Sequence, residues 1–222
     1  MRAPRVRLLL ASASPARLGL LRAAGVEPSV RVSGVDEDSA VARARAARTG
    51  PLDAVDVALL LARAKAEDVV SAVEAEGDDA AELVLGCDSV LELDGEIHGK
   101  PVDTAEATAR WRRMRGRSGL LHTGHWLVDR RSSAAGGTGG QVGATASTVV
   151  HFADLTDDEV ADYVSTGEPL HVAGGFTIDG LGGPYVDAVE GDPSTVVGLS
   201  LPLLRRLALE LDIPWRDLRV GP

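Results

Sequence analysis

Short unbroken apolar runs and longer 3.6-residue periodicities divide the chain into strand-like and helix-like stretches. VRLLLA (6–11) is continuous and short, the pattern of a strand buried on both faces. SASPARLGLLRAAG follows directly. Ser14 suits an N-cap, Pro15 the first helical position and Gly25 the C-terminal stop. PSVRVSGVDED (28–38) reads as a short strand ending in an acidic loop. The longest helical pattern spans 52–77, with apolar residues at Val57, Leu60, Leu61, Ala64 and Val69. AELVLGCDSVLELDGEIHGKP predicts a strand pair folded at Asp94-Gly95, a strong signal for a two-residue hairpin turn.

Downstream, DTAEATARWRRMRG predicts a helix with a capping-box opening, Asp103 to Glu106. LLHTGHWLVDR and GATASTVVHFADL read as partner strands. The Gly/Ser-rich stretch between them (131–141) predicts a long, flexible hairpin loop. TDDEVADYVSTGEP is a second capped helix, Thr156 to Glu159; residues 172–199 form a Gly-rich loop and strand region; LPLLRRLALELD is the last helix. Strands and helices mix without strict alternation and without an internal repeat. The expectation is an α/β fold around a mixed sheet, in a single domain over 1–222.

Composition narrows the possibilities. A chain of 222 residues hides roughly 70% of its unfolded surface. With 45% hydrophobic but only 3% aromatic residues, the core is expected to consist of Leu, Val and Ala. A net charge of −10 argues against nonspecific nucleic-acid binding, yet leaves room for an anion pocket built from a few gathered cations. The single cysteine, Cys87, excludes an internal disulfide and fits a reducing compartment. No apolar run approaches the ~20 residues of a membrane span. The opening MRAPRVRLLLASASPAR is basic and then apolar, but its run Leu8 to Ala11 is shorter than a signal-peptide core of about 7 to 15 residues. A cytoplasmic protein without membrane attachment is expected.

The cations carry the first chemical signal. Of 23 Lys plus Arg, only Lys65 and Lys100 are lysines. Asp88 stands at the end of the apolar run ELVLG, where a carboxylate must be paired, solvated or metal-bound. A two-residue turn at 94–95 sets Ser89 opposite Lys100 and Asp88 opposite Pro101, so Lys100 lies one residue step from Asp88. A carboxylate beside an ammonium can hold a metal-bound water and a phosphate oxygen together. The same pair can also be a partly exposed salt bridge of little consequence. Lys65 sits among Leu61, Ala62, Ala64 and Ala66, and a compact point charge is not interchangeable with a guanidinium. Both lysines are therefore candidates for binding phosphate oxygens.

Ser12 and Ser14 hydroxyls, free N–H groups and a helix dipole meet at the start of the first helix, with Arg17 in its first turn. That is a ready anion site, and equally an ordinary cap beside a surface arginine. Asp36, Glu37 and Asp38 offer acidic ligands or a solvated turn. The histidines (98, 122, 125, 151 and 171) show no zinc-type spacing, and His122 and His125 fall on opposite faces of a strand. No phosphate-binding P-loop, nucleophile elbow or dinucleotide fingerprint follows a strand. Cys87 lacks an evident base partner and reads as a small core residue.

Taken in order, these segments resemble the Maf (septum-formation) family of nucleoside triphosphate pyrophosphatases over nearly the whole chain. LLLASASPARLGLLRAAGV is similar to the family's strand–A-S-x-S-P-x-R–helix opening, SGVDED to its V-D-E loop, and LARAKAEDV to its A-x-x-K-A helix. VLGCDSVLELDGEIHGKPVDTAEA, LTDDEVADYVSTGEPLHVAGGFTIDG and VEGDPSTVVGLSLPLL resemble its remaining segments. The resemblance implies a Maf/ITPase-like mixed, twisted sheet flanked by helices with a deep central cleft, as a homodimer. It implies hydrolysis of a nucleoside triphosphate to a monophosphate and pyrophosphate with a divalent metal cation, Mg²⁺ or Mn²⁺.

Carried over by position, Asp88 looks like the proton acceptor and, with Glu37, a metal ligand. Ser14, Arg17, Lys65 and Lys100 look like triphosphate-binding residues, joined by Ser12 from the anion-site reading of the first loop. Ala16, Ser89 and Asp179 occupy positions that set base choice. They depart from the family, which has Arg or Trp, Thr or Gln, and Gln or Glu there; Val172 stands where some members have Lys. PLHVAGGFTIDG and EGDPSTVVGL resemble the branch acting on methylated purine triphosphates such as 7-methyl-GTP, while the small Ala16 and Ser89 suit broad base choice. Two alternatives stand beside this reading: a nucleotide-binding regulator of cell division with little turnover, and a phosphomonoesterase releasing orthophosphate.

Overall fold

The computed structural model describes residues 5–221. The Met1–Pro4 part of the leader-like opening lies outside the described residues. The strands are β1 (Leu8–Ala11), β2 (Ser29–Val30), β3 (Leu83–Leu93), β4 (Glu96–His98), β5 (Ser118–Asp129), β6 (Gln141–Phe152) and β7 (Val186–Glu190). They form one mixed sheet in the order β2-β1-β3-β5-β6-β7, with β4 paired to the outer part of β3. β2, β1 and β3 run parallel, and the remaining pairs are antiparallel. Around the sheet lie α1 (Pro15–Ala23), α2 (Glu37–Ala47), α3 (Ala54–Ala75), α4 (Thr104–Met114), α5 (Asp157–Ser165), α6 (Pro193–Val197), α7 (Leu201–Glu210) and α8 (Trp215–Leu218). The α/β class with a mixed sheet is as expected. No helix among the described residues is long and apolar enough to cross a membrane.

The centre of the sheet is apolar on both faces because helices cover both. Leu8 and Leu10 of β1 join Leu83, Leu85 and Cys87 of β3 against α1 and α7. The alternate positions, Leu9, Ala11 and Val84, pack against Ala66, Val69 and Val73 of α3. This is the two-residue strand period meeting a helical face on each side. Five of the seven aromatic residues lie outside this Leu/Val/Ala core. Trp111 of α4 meets Phe152, Tyr163 and Tyr185 edge-on at centroid distances of 5.2–6.1 Å, forming a second core behind the 168–185 segment.

Three expectations are corrected. The apolar run ELVLG does not end a strand at Asp88. β3 continues through it to Leu93, because β5 keeps pairing along that side, with Asp88 opposite Gly124. On the other side β1 stops at Ala11, opposite Gly86, so Asp88 stands just past the end of the parallel ladder. The hairpin turn is as expected, with φ of 56° at Asp94 and 76° at Gly95, as a type I′ turn requires. Its ladder, however, stops at the Leu91–His98 pair, so Ser89 does not face Lys100 nor Asp88 Pro101. Finally, Asp36–Asp38 is no loop. Asp36 caps α2 by accepting from the Ser39 N–H, and Glu37 and Asp38 form the first helical turn.

One packing constraint fixes where α3 can lie. Ala58, Ala62 and Ala66 form a small-residue stripe directly over Gly86 of β3 and Gly124 of β5. A Cβ on Gly86 would fall 2.1 Å from the Ala62 carbonyl oxygen, and one on Gly124 would fall 2.2 Å from that of Ala58. Only glycine lets the helix backbone approach the sheet this closely.

Gly86→Ala should therefore destabilise the fold by about 3 kcal/mol, the upper part of the overpacking range. Gly19→Ala, in the middle of α1 with open space around its Cα, should stabilise it by roughly 0.5–1 kcal/mol through helix propensity. Chemical denaturation of both variants checks the opposite signs. Equal effects would contradict the close approach of α3.

Candidate active site

The cleft opens where β1 ends and β3 continues, the usual place for a ligand at the carboxyl ends of parallel strands. Its volume is about 750 Å³, and its walls come from the β1–α1 loop, α1, α2, α3, β3, the 97–100 turn, the 171–179 segment and α6. All the site candidates from sequence line it: Ser12, Ser14, Ala16, Arg17, Glu37, Lys65, Asp88, Ser89, Lys100 and Asp179.

At its floor, one ammonium holds two carboxylates. Lys65 Nζ lies 2.5 Å from Asp88 Oδ1 and 2.7 Å from Glu37 Oε1. Lys65 is placed by α3, Asp88 by β3 and Glu37 by the first turn of α2, so three separate elements meet at one charge. Burial is the largest influence on Asp88 and pushes its carboxyl above the usual range; the positive charges of Lys65 and Arg17 oppose this, and Glu37 adds to it.

Arg17 is not a surface arginine. It is buried and donates from Nε to the Gly198 carbonyl (2.7 Å) and from Nη1 to Ser12 Oγ and the Cys87 carbonyl (both 2.9 Å). From Nη2 it donates to Ser89 Oγ at 3.1 Å. Of its five N–H groups, these contacts leave one. Ser14 caps α1 by accepting from the Arg17 N–H at 3.3 Å, and Ser12 Oγ accepts from the Ser14 N–H at 3.2 Å. The first loop is thus a helix cap, as one of its two readings has it, and it lines the cleft.

A second buried network holds the α6–α7 side. His125 donates Nδ1–H to the Thr123 carbonyl (3.0 Å) and accepts from the Ser200 N–H at Nε2 (2.8 Å). Burial and the nearby Arg17 push its imidazole down to about 4, so it is neutral at physiological pH. Ser200 caps α7 two residues after Gly198, the acceptor of Arg17. Cys87 is buried in the core, as expected, and its thiol is pushed up to about 12.

The donor set suits a hard divalent cation shared with a substrate. Glu37 and Asp88 already converge on a single positive centre, and both offer carboxylate oxygens, as Mg²⁺ and Mn²⁺ prefer. Among the described residues no group of three or more His, Cys, Asp or Glu could hold a metal ion alone. Two carboxylates completed by phosphate oxygens and water is the common arrangement for Mg²⁺ at phosphoryl sites.

Sequence reasoning missed Arg45, which lines the cleft from α2 and forms no ion pair among the described residues. Had α2 been recognised, the spacing of Glu37, Val41 and Arg45 would have placed all three on one helical face. It also missed Phe176 and Thr177 on the opposite wall. None of residues 131–141 lines the cleft. That stretch is tied to buried Asp129, which accepts from Arg131 Nε (2.9 Å) and from the Thr138 N–H (2.7 Å).

A family model described as Maf-like protein matches residues 7–211. A nucleoside triphosphate pyrophosphatase from Salinispora tropica is 59% identical over 209 residues, covering 94% of this chain and 85% of its own. One from Streptomyces coelicolor is 56% identical over 94% of this chain and 92% of its own. One from Leifsonia xyli subsp. xyli is 55% identical, covering 96% of each.

The charge triad makes a prediction of sign. Lys65→Met removes an influence that lowers the Asp88 pKa, and should raise it further. Glu37→Gln removes a repulsive neighbour and leaves Lys65 to Asp88 alone, and should lower it. Carboxyl ¹³C NMR titration measures both. Shifts in the same direction would show that the three groups do not share one site.

Proposed function

The chain belongs to the Maf family, and from that premise we propose that it hydrolyses nucleoside triphosphates to a nucleoside monophosphate and pyrophosphate. As a nucleoside triphosphate pyrophosphatase it is a hydrolase acting on acid anhydrides, in nucleotide metabolism. The observation that carries the reading is the Glu37–Lys65–Asp88 cluster at the floor of a cleft large enough for a nucleotide.

Water attacks the α-phosphorus; a new P–O bond forms and the bond to the bridging α–β oxygen breaks, so pyrophosphate leaves. Asp88 accepts the proton from that water. Its Oδ1 is engaged by Lys65, which leaves Oδ2 to the water. Glu37 and Asp88 would hold a divalent cation, Mg²⁺ or Mn²⁺, which would neutralise phosphate charge and lower the pKa of bound water. Lys65 and Lys100 hold phosphate oxygens, Lys65 through the one N–H that Glu37 and Asp88 leave to it. Ser12 and Ser14, at the N-terminus of α1, bind the phosphate chain with the remaining N–H of Arg17. Fixed cations in a partly dry cleft stabilise the charge that grows on the leaving pyrophosphate better than bulk water does.

Ala16, Ser89 and Asp179 face the base. Ser89 is held by Arg17 Nη2 and Thr123 Oγ1, so it offers a fixed hydroxyl in place of a mobile one. With only the small Ala16 beside it, the pocket admits bulky or methylated bases, which suits removal of non-standard triphosphates such as 7-methyl-GTP. The enzyme works in the cytoplasm as a homodimer, on free nucleotides and without a nucleic-acid or membrane partner.

Pyrophosphate release from a panel of standard, methylated and deaminated triphosphates, with Mg²⁺ or Mn²⁺, tests this. Asp88→Asn should lose about 10²–10⁴-fold in kcat, the usual worth of a general base, with the fold intact. Near-wild-type turnover would exclude Asp88. Because Asp88 must be ionised and its pKa is raised, kcat/KM should fall on the acid side at a pH above the ordinary aspartate value of about 3.9. Nucleotide binding without pyrophosphate release would favour the regulator, and orthophosphate release the phosphomonoesterase.

A further inference from the structure

Lys100 lines the cleft, but it lies beyond the end of the β3–β4 ladder, and its side chain makes no hydrogen bond or ion pair among the described residues. A cation on an unpaired, exposed turn would contribute little to binding unless its backbone were fixed, since each freely rotating side chain and residue loses entropy on engagement. The turn is in fact gripped at both ends from one face of α4. Arg110 Nη1 donates to the Gly99 carbonyl at 2.6 Å, just before Lys100. Glu106 Oε2 accepts from the Val102 N–H at 2.8 Å, just after Pro101. Arg110 and Glu106 are themselves an i, i+4 ion pair, and the Arg110 side chain is only 4% exposed.

The expected capping box explains why Glu106 is available. Asp103 accepts from the Glu106 N–H, but the Glu106 carboxylate reaches past the N-cap to Val102. The Gly99 carbonyl also accepts from the Gly174 N–H at 3.0 Å, and Trp111, next to Arg110, donates Nε1–H to the Gly175 carbonyl at 2.8 Å. Gly175 in turn lies against Pro101, where an added Cβ would come within 3.2 Å of the ring. One helix face therefore sets both the Lys100 turn and the start of the wall that carries Thr177 and Asp179.

We infer that Arg110 is a positioning residue for Lys100: with Glu106 it clamps the 99–102 turn so that Lys100 meets the triphosphate without the cost of ordering the turn's backbone. This rests on the pyrophosphatase reading above. Arg110 touches no substrate. Its long planar fork suits the task, because one guanidinium can hold a carbonyl and a carboxylate at once while remaining charged in a buried place. Methionine at 110 would keep much of the packing and lose the grip.

A double-mutant cycle tests it. kcat/KM for pyrophosphate release is measured for wild type, Arg110→Met, Lys100→Ala and the double variant, with thermal unfolding of each. Arg110→Met should lower kcat/KM about tenfold when Lys100 is present, within the coupling range for residues in one network. It should have less than about a twofold effect in the Lys100→Ala background. A general packing role would lower activity equally in both backgrounds, and equal losses, or no loss, overturn the inference. If Arg110→Met does not fold, Glu106→Ala replaces it in the same cycle. Glu106 is partly exposed, and its removal frees the other end of the turn; the same non-additivity is expected and additivity again overturns the inference. No pyrophosphate from wild type would overturn the reaction and this inference together, whereas additivity in an active enzyme overturns the inference alone.

Discussion

The site depends on how closely α3 can lie against the sheet. Gly86 and Gly124 present bare backbone to the alanine stripe Ala58, Ala62 and Ala66, and the helix backbone fills the space where side chains would stand. Lys65 is on the same helix, next to Ala66, and Asp88 is two residues beyond Gly86. A helix seated on ordinary side chains would ride farther from the sheet, and the 2.5 Å contact between Lys65 and Asp88 would open. The choice of glycine in β3 and β5 therefore belongs to the chemistry as much as to packing.

Burial and charge act against each other at that contact. Taking Asp88 out of water favours its neutral form, while Lys65 and Arg17 favour the carboxylate. The balance leaves a carboxyl whose proton affinity is above that of an exposed aspartate. Arg17 serves that balance from inside the protein. It spends four N–H groups on Ser12, Cys87, Ser89 and Gly198, and so joins the first loop, β3 and the α6–α7 corner into one frame. His125, held neutral, fixes the far side of the same corner through Ser200.

Much of this was legible in the sequence because local signals carried it. Ser14-Pro15 marked a helix start and Asp94-Gly95 marked a turn, and both stand as read; the scarcity of lysine singled out Lys65 and Lys100, which both line the cleft. What escaped was set by distant partners. Whether β3 ends at Asp88 is decided by β5, some 35 residues later in the chain, which pairs past it. The helix starting at Glu37 was hidden because an acidic cap and an acidic ligand loop share one composition. Arg110 was invisible among 21 arginines, since nothing local marks the one whose guanidinium is buried against Gly99. The aromatic core around Trp111 escaped because five aromatic residues scattered in sequence (Trp111, Phe152, Tyr163, Phe176 and Tyr185) converge only in three dimensions.

The central claim is that this cleft directs water to the α-phosphorus and expels pyrophosphate. Hydrolysis of a nucleoside triphosphate in ¹⁸O-water, read by ³¹P NMR or mass spectrometry, tests it most directly. The account predicts one ¹⁸O atom in the nucleoside monophosphate and none in the pyrophosphate. Label in the pyrophosphate, or in orthophosphate, would place the attack on another phosphorus and contradict the arrangement of Asp88, Lys65 and Lys100 described above.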